Sequence, residues 1–403
     1  MDNSKCKYDI IHIREYFPSP DNPSSSTWIF NQVKWIKEFD FNPIVISPSP
    51  KVPFWVTHFK KEKHAWKIRA SDKVENYLGV DVIRPSYLKL PNKYFFYYNI
   101  NQLEKCILRA GRKINAKIIH AHFGHTGYAT LKLKKEKKVP MITSFYGFDL
   151  GSYKNKLLKH YEILAKEGDL FLALSEDMKN DLVSFGFPPN KIIVHHLGIN
   201  IEDFAPSNKK KENKKKFIFT IAARYTKRKG IHYAIRAYKK FKKMEATNNC
   251  ELRIIGDGPI KDKLINLAKG HEDIVFINNF IANNPRELLK KEMQNCDVFI
   301  LTSITLPNAD KEGTPVVLME AQACGKPCIS TFHAGIPEIV IDRKTGILTR
   351  ERDIDGITNA MKVFYNDKNK RKQYGDHARD HILSHFNNAV QMPILCNIYK
   401  KLY

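Results

Sequence analysis

Short apolar runs separated by amphipathic stretches repeat along this 403-residue chain. In the first half YDIIHI (8–13), NPIVIS (42–47), AKIIHAHF (116–123), PMITSFYG (140–147), DLFLALS (169–175) and KIIVHHLG (191–198) are nearly continuous in apolar character. That pattern predicts parallel strands covered on both faces. Between the first two runs, TWIFNQVKWIKEF (27–39) puts Ile29, Val33 and Ile36 on one helical face, and helices are also predicted over 153–166 and 176–185. The alternation pauses at PSNKKKENKKK (206–216), a charged stretch without an apolar residue, which reads as a linker. It restarts with strands at 216–224, 250–256, 274–278, 297–303, 326–332 and 345–349, and helices near 230–246, 259–269, 285–293 and 315–324. Two successive βαβ units predict an α/β protein with a ligand cleft between domains, outside the carboxyl ends of the strands. The expected division is 1–205, the Lys-rich linker 206–216, and 217–385. A terminal helix over 386–403, broken or re-aimed by Pro393, is expected to pack back on the first domain.

The length suits two domains, and no apolar run approaches the roughly 20 residues that span a bilayer. Seven scattered cysteines form neither a disulfide framework nor a zinc spacing, and the first residues carry no cleavable signal pattern, so a cytoplasmic location is expected. The formal charge of +25 is unusual. It fits either a solvated lysine-rich surface or attraction to an anionic membrane on its inner face, or to acidic substrates. No nucleic-acid-binding module is legible, so no nucleic-acid partner is expected. PFWVTHFKKEKHAWK (53–67) and NKYFFYYNI (92–100) interleave aromatics with lysines, as a partly buried helix or a headgroup-docking segment would.

The most informative chemistry lies at 312–327, EGTPVVLMEAQACGKP, where Glu312 and Glu320 flank seven residues at a predicted helix start. Thr314 suits the N-cap and Pro315 the first turn, while Gly325 and Pro327 stop the helix. Amides there, including those around Gly313 and Thr314, form an anion site, and the two carboxylates are acceptors for hydroxyls. Phosphate plus hydroxyls outlines a nucleotide sugar. In AARYTKRKGI (222–231), Arg224 and Lys229 stand at a strand-to-helix turn and suit a diphosphate, whereas Lys227 and Arg228 read as solvated. In IIGDGPIKDKL (254–264), Gly256, Asp257 and Gly258 permit close backbone approach to a ligand. In IIHAHFGHTG (118–127), His120, His122 and His125 follow a strand. Zinc is one reading of them, and a satisfied core histidine another, most of all for His120. Asp353 and Asp355 are read as a helix start rather than a metal pair.

Together these motifs resemble the GT-B fold, family 4-type retaining glycosyltransferases (group 1), and most closely the colanic-acid and related exopolysaccharide enzymes. The likeness is strongest over 217–350 and rests on DKEGTPVVLMEAQACGKPCISTFHAGIPEIV (310–340). It implies two Rossmann-like domains facing each other across a deep cleft, a nucleoside-diphosphate-sugar donor, and a glycan or lipid-linked oligosaccharide acceptor. It also implies that no metal cofactor is needed. Arg224 and Lys229 would hold the diphosphate, Glu320 the ribose, Glu312 the transferred hexose, and the 256–258 loop would lie near the nucleotide. His122 would face the sugar, and Asp149 and His125 are further sugar or acceptor contacts. Tyr146 replaces a family histidine, and SSSTW (24–28) replaces the common Gly-Gly. Ser25, Ser26 and Thr27 could bind phosphate or merely cap a helix. No carboxylate nucleophile is evident, so front-face return is the expected route to retention. The competing reading is a nucleotide-sugar-binding scaffold that has lost turnover.

Overall fold

The computed structural model describes residues 7–23, 25–53, 70–147, 149, 151, 154–207, 216–278 and 284–402. Most of the predicted linker and the aromatic–lysine stretch 53–67 lie outside these residues. The chain forms two compact units: Met1–Asp149 with Tyr153–His195 and Gln391–Tyr403, and Leu150–Ser152 with His196–Val390. The segment 196–205, expected with the first unit, thus belongs to the second.

The first unit holds β1 (Ile10–Ile13), β2 (Pro43–Ile46), β3 (Ser49–Lys51), β4 (Ser71–Tyr77), β5 (Val80–Arg84), β6 (Ser86–Leu88), β7 (Ile118–His122), β8 (Met141–Ser144), β9 (Leu170–Ala173) and β10 (Ile192–Val194). Eight of them form one sheet in the order β10-β9-β8-β7-β1-β2-β5-β4, parallel except at β4–β5. Strands β1, β2, β7 and β8 are buried at every position, which is why they read as unbroken apolar runs. The strand order reverses between β1 and β7, so ligands are favoured at the carboxyl ends of those two strands. Helix Asn388–Lys400 continues through Pro393 rather than breaking there. Its Met392, Leu395, Cys396 and Tyr399 pack with Ile10, Ile118, Ile142 and Leu172 of the first sheet.

The second unit is a six-stranded parallel sheet of β11 (Phe217–Ala222), β12 (Cys250–Ile255), β13 (Ile274–Ile277), β14 (Val298–Leu301), β15 (Cys328–Thr331) and β16 (Gly346–Thr349). The order is β13-β12-β11-β14-β15-β16, the doubly wound arrangement, with its reversal between β11 and β14. Helix Ile231–Glu245 buries Ile231, Ala234, Ile235, Tyr238 and Phe241 at helical spacing. They share a core with Ile357, Met361 and Phe364 of helix Ile354–Asn366. The other face of the sheet is covered by Leu318 and Met319 of helix Val316–Ala323. Asp353 caps helix Ile354–Asn366 through the amide of Gly356.

Candidate active site

In the second unit the chain leaves β11 and makes a short 3-10 turn, Lys227–Lys229, that ends at Gly230 with φ 62°. A Cβ on Gly230 would stand 1.8 Å from the Thr302 carbonyl oxygen, so only glycine allows this approach. Thr302 Oγ1 closes it by donating to the Gly230 carbonyl at 2.9 Å. A cationic turn is thereby fixed to the end of β14, at the reversal of strand order.

Lys229 Nζ lies 2.8 Å from Glu312 Oε1, with Arg228 Nε at 3.5 Å and Ser303 Oγ at 3.3 Å from the same oxygen. Arg228 also binds Asp310 Oδ1 at 2.7 Å and the Lys311 carbonyl at 3.1 Å. Arg228 is therefore a structural cation of the site and not the solvated residue its neighbourhood suggested. A charge-dense run hid the fact that the short 3-10 turn brings the adjacent Arg228 and Lys229 side chains onto one carboxylate. Burial alone would raise the Glu312 pKa, but Lys229 and Arg228 outweigh it and hold the carboxylate below its ordinary range.

His333 was not foreseen, although it follows the carboxyl end of β15 within TFHAGIPEIV. Its Nε2 accepts from the Glu312 amide at 3.0 Å and its Nδ1 lies 2.7 Å from Glu351 Oε1. The first bond fixes a lone pair on Nε2, which places the proton on Nδ1. Glu351 in turn accepts from the Thr305 amide and Arg352. This chain of bonds orients the Glu312 backbone from behind.

Pro315, not Thr314, is the N-cap of helix Val316–Ala323, and no side chain caps it. The Thr314 hydroxyl is buried without a hydrogen-bond partner. Its predicted capping role fails because the helix begins one residue later. An orphan hydroxyl beside an uncapped helix start marks a polar position left for a ligand.

Glu320, one helix turn and a half further on, is part-buried, and its carboxylate makes no hydrogen bond or ion pair among the described residues. The nearby charges, Arg286 and Asp203, are bonded to each other at 2.8 Å and nearly cancel. Burial pushes the carboxyl up to about 7. A folded-state value above the ordinary 4.5 gives stability that is full below 4.5 and is lost as pH rises through 7. Glu320→Gln is therefore expected to raise the melting temperature at pH 8, by up to about 3 kcal/mol of stability, and much less at pH 5.5. Equal melting of the two proteins at pH 8 would contradict this.

Arg224 is exposed and makes no side-chain hydrogen bond or ion pair among the described residues, so it does not join the Lys229–Glu312 pair. Gly256 and Gly258 pack against protein backbone: a Cβ on Gly256 would meet the Ala223 carbonyl oxygen at 2.1 Å. Their small size serves the approach of the Arg224 loop, a correction to the expected close approach of a ligand. Asp257 accepts from the Gly258 amide and Asn278.

In the first unit the histidines divide into two groups. His122 is fully buried, with Nδ1 2.9 Å from the Tyr146 hydroxyl and Nε2 3.0 Å from His12 Nδ1. Its expected role facing a sugar is thus corrected: both ring nitrogens are engaged in the interior. His120 bonds Tyr399 and Ser144, each at 2.7 Å. His12, His120 and His122 bring one ligand atom each within 4.8 Å of one another. Five of their six nitrogens are already hydrogen-bonded, and only His12 Nε2 lacks a partner. The histidine trio of the zinc reading is therefore regrouped, with His12 in the place of His125.

His125 sits apart, with 20% of its side chain exposed. Its Nε2 is 2.9 Å from Glu15 Oε2, and its Nδ1 is 3.8 Å from Asp149 Oδ1. Burial disfavours the imidazolium, but Asp149 and Glu15 outweigh it and raise the pKa. Asp149 is itself buried and accepts from the amides of Gly124 and Tyr146, so it shapes the loop and does not present a free carboxylate. Glu15, missed in the sequence, is held by Tyr87, by Lys89 at 3.4 Å and by His125. Ser26 does not cap helix Thr27–Trp35; its hydroxyl accepts from Arg14 Nε at 3.0 Å.

Comparison with known proteins bears on both units. The family described as glycosyl transferases group 1 matches residues 203–381, and that described as glycosyltransferase family 4 matches 56–203. WcaL of Escherichia coli (strain K12), described as a colanic acid biosynthesis glycosyltransferase, is 33% identical over 68% of each chain. The amylovoran biosynthesis glycosyltransferase AmsK of Erwinia amylovora is 34% identical over 62% of each. An Escherichia coli UDP-Gal:alpha-D-GlcNAc-diphosphoundecaprenol alpha-1,3-galactosyltransferase is 26% identical over 72% of this chain and 76% of its own. Sucrose-phosphate synthase of Thermosynechococcus elongatus superposes with a TM-score of 0.76, at 15% identity over 98% of this chain and 99% of that one. Anabaena HepE in complex with UDP superposes with 0.70, at 14% identity over 98% and 100%. These likenesses bear out the expected GT-B fold.

Proposed function

Because the chain belongs to the group 1 glycosyltransferases, we propose that its second unit binds a nucleoside-diphosphate sugar and that the protein transfers the hexose with retention to a glycan or lipid-linked acceptor. The observation that carries this reading is the Lys229–Glu312 pair at the strand-order reversal of the second sheet. Lys229 keeps donors free for phosphate oxygens while Glu312 fixes its position. Glu312 offers its second oxygen to sugar hydroxyls, and the unpaired Glu320 carboxylate accepts from the ribose diol. Arg224, exposed and unpaired, is the mobile second cation for the diphosphate. In the first unit His125, held beside Glu15 and Asp149, keeps a fifth of its side chain exposed, whereas His122 is buried. A preorganised set of cations and amides stabilises charge as it develops on the leaving diphosphate, so the chemistry as proposed needs no metal.

HepE with UDP and the galactosyltransferase that uses UDP-Gal support a UDP-sugar donor, and the diphosphoundecaprenol acceptor of the latter supports a lipid-linked acceptor. No helix among the described residues is long and apolar enough to cross a membrane. Access to such an acceptor is then proposed from the inner membrane face, with the protein docked peripherally. The test needs no acceptor: slow hydrolysis of UDP- and GDP-hexoses is followed by proton NMR in excess EDTA. Release of sugar with the donor's own anomeric configuration is expected. Inverted sugar, or release abolished by EDTA, would contradict the mechanism, and tight binding without any release would favour the scaffold reading.

A further inference from the structure

Arg14 directly follows β1, at the carboxyl-end reversal of the first sheet, and the mechanism above does not use it. Its side chain is fixed at two points. Nε donates to Ser26 Oγ at 3.0 Å, and Cζ lies 4.0 Å from the centroid of the Phe123 ring. The terminal amino groups of the guanidinium make no hydrogen bond or ion pair among the described residues.

The acids that could neutralise it are already committed. Glu15 binds Tyr87, Lys89 and His125, and Asp149 binds two backbone amides. Burial pushes the guanidinium down to about 10, the sign of a cation with too little opposite charge around it. Ser26 is held in the left-handed conformation at φ 50° and turns its hydroxyl to Arg14 instead of capping. Helix Thr27–Trp35 consequently starts with no side-chain cap and no acidic residue in its first turn. A positioned guanidinium fork beside an uncapped helix start has the geometry for an oxyanion.

We propose that Arg14, held by Ser26 and Phe123, is the centre of a second anion site that takes the phosphate or diphosphate carried by the acceptor. This deepens the reading of the chain as a transferase and rests on it for the word acceptor. A planar fork binds two phosphate oxygens at once, and the two bonds together are expected to contribute a tenfold to hundredfold gain in affinity. A phosphate so held orients the attached sugar or lipid on the first unit.

Calorimetric titration of the full chain tests this, with farnesyl diphosphate, farnesol and glucose 1-phosphate as probes and UDP titrated separately. Farnesyl diphosphate is expected to bind the wild type well and farnesol poorly. Arg14→Met should weaken the diphosphate at least tenfold, Arg14→Lys should fall between, and UDP affinity should stay within twofold in both. Arg14-dependent binding of glucose 1-phosphate in place of farnesyl diphosphate would also support the site and would name a soluble sugar phosphate as its source. The proposal is overturned if no phosphate probe binds the wild type, if Arg14→Met and Arg14→Lys both bind as the wild type does, if farnesol matches its diphosphate, or if UDP is lost in parallel. Absence of UDP binding with Arg14-dependent diphosphate binding intact would instead count against the donor reading alone.

Discussion

Replacing Lys229 by methionine is expected to lower kcat by about 10² to 10³ while raising KM only several-fold. The asymmetry follows from where charge appears. The diphosphate gains negative charge as the glycosidic bond breaks, so a fixed cation stabilises the transition state more than the bound donor. Lys229 is fixed by three features: the Gly230 approach to Thr302, the Thr302 hydroxyl that closes it, and the 2.8 Å contact with Glu312. The substitution also leaves Glu312 with Arg228 at 3.5 Å as its closest cation, which lets burial raise the carboxyl's pKa. The rate should therefore gain a pH dependence in the acid range that the wild type lacks. Lys229→Arg should recover part of the rate without recovering the geometry, because a fork is not a point charge. Steady-state kinetics with the preferred donor decides it, and a kcat within threefold of wild type would remove Lys229 from the mechanism.

A second large effect is expected on stability in acid. His12, His120 and His122 are fully buried, and burial is the leading cause that depresses all three, His12 to about 3. Each ring is neutral in the fold and takes up a proton on unfolding below its ordinary 6.5. Folded values below the unfolded one give stability that is present above 6.5 and is lost as pH falls. The window for His12 runs from 6.5 down to about 3. Each histidine costs about 1.4 kcal/mol per pH unit inside the window. His125, in the same unit, is shifted the other way and offsets part of this.

The remaining loss of several kcal/mol is comparable with the whole stability of an ordinary domain. Urea unfolding of the first unit at pH 7.5, 6 and 5, read by near-ultraviolet circular dichroism, is expected to show a steeply falling midpoint. His12→Asn should flatten that slope by about one proton. An unchanged midpoint between pH 7.5 and pH 5 would mean the rings are not sealed from solvent.

Strands β1, β2, β7, β8, β14 and β15 were legible because every position in them is buried and so leaves a nearly unbroken apolar run. The hairpin of β4 and β5 was not. SDKVENY has no buried face to write a pattern, and its turn is made by Leu78 at φ 50° with Gly79 at φ 90°, without the usual Asn-Gly signal. The helix over Gly124–Lys137 was likewise hidden, by a sequence apolar on no clear face, and of Asn92–Gly111, kinked at Phe95, only the first part read as a possible helix.

At the site, the acidic pair and Lys229 could be read from spacing, since helix starts and strand ends impose it. Arg228 and His333 could not, because their value lies in contacts with Glu312, 84 and 21 positions away. The histidines of 118–127 show the limit most clearly. Spacing placed three on one strand end, but the pleat turned His120 and His122 to the buried interior, and His125 falls in the first turn of helix Gly124–Lys137. A rule applied at each strand end would have found more: Arg14, Glu15, Ser303 and His333 all follow a parallel strand at its carboxyl side.

The central claim is that the second unit's rim grips a nucleotide sugar through Lys229, Glu312 and Glu320. Its most direct measurement is calorimetric titration of UDP-, GDP- and ADP-sugars into wild type, Lys229→Met and Glu320→Ala at pH 8. The account requires one donor to bind the wild type at micromolar strength, with at least tenfold loss in each variant. Binding of that donor by Glu320→Ala with wild-type affinity, or no binding of any donor by the wild type, would contradict it.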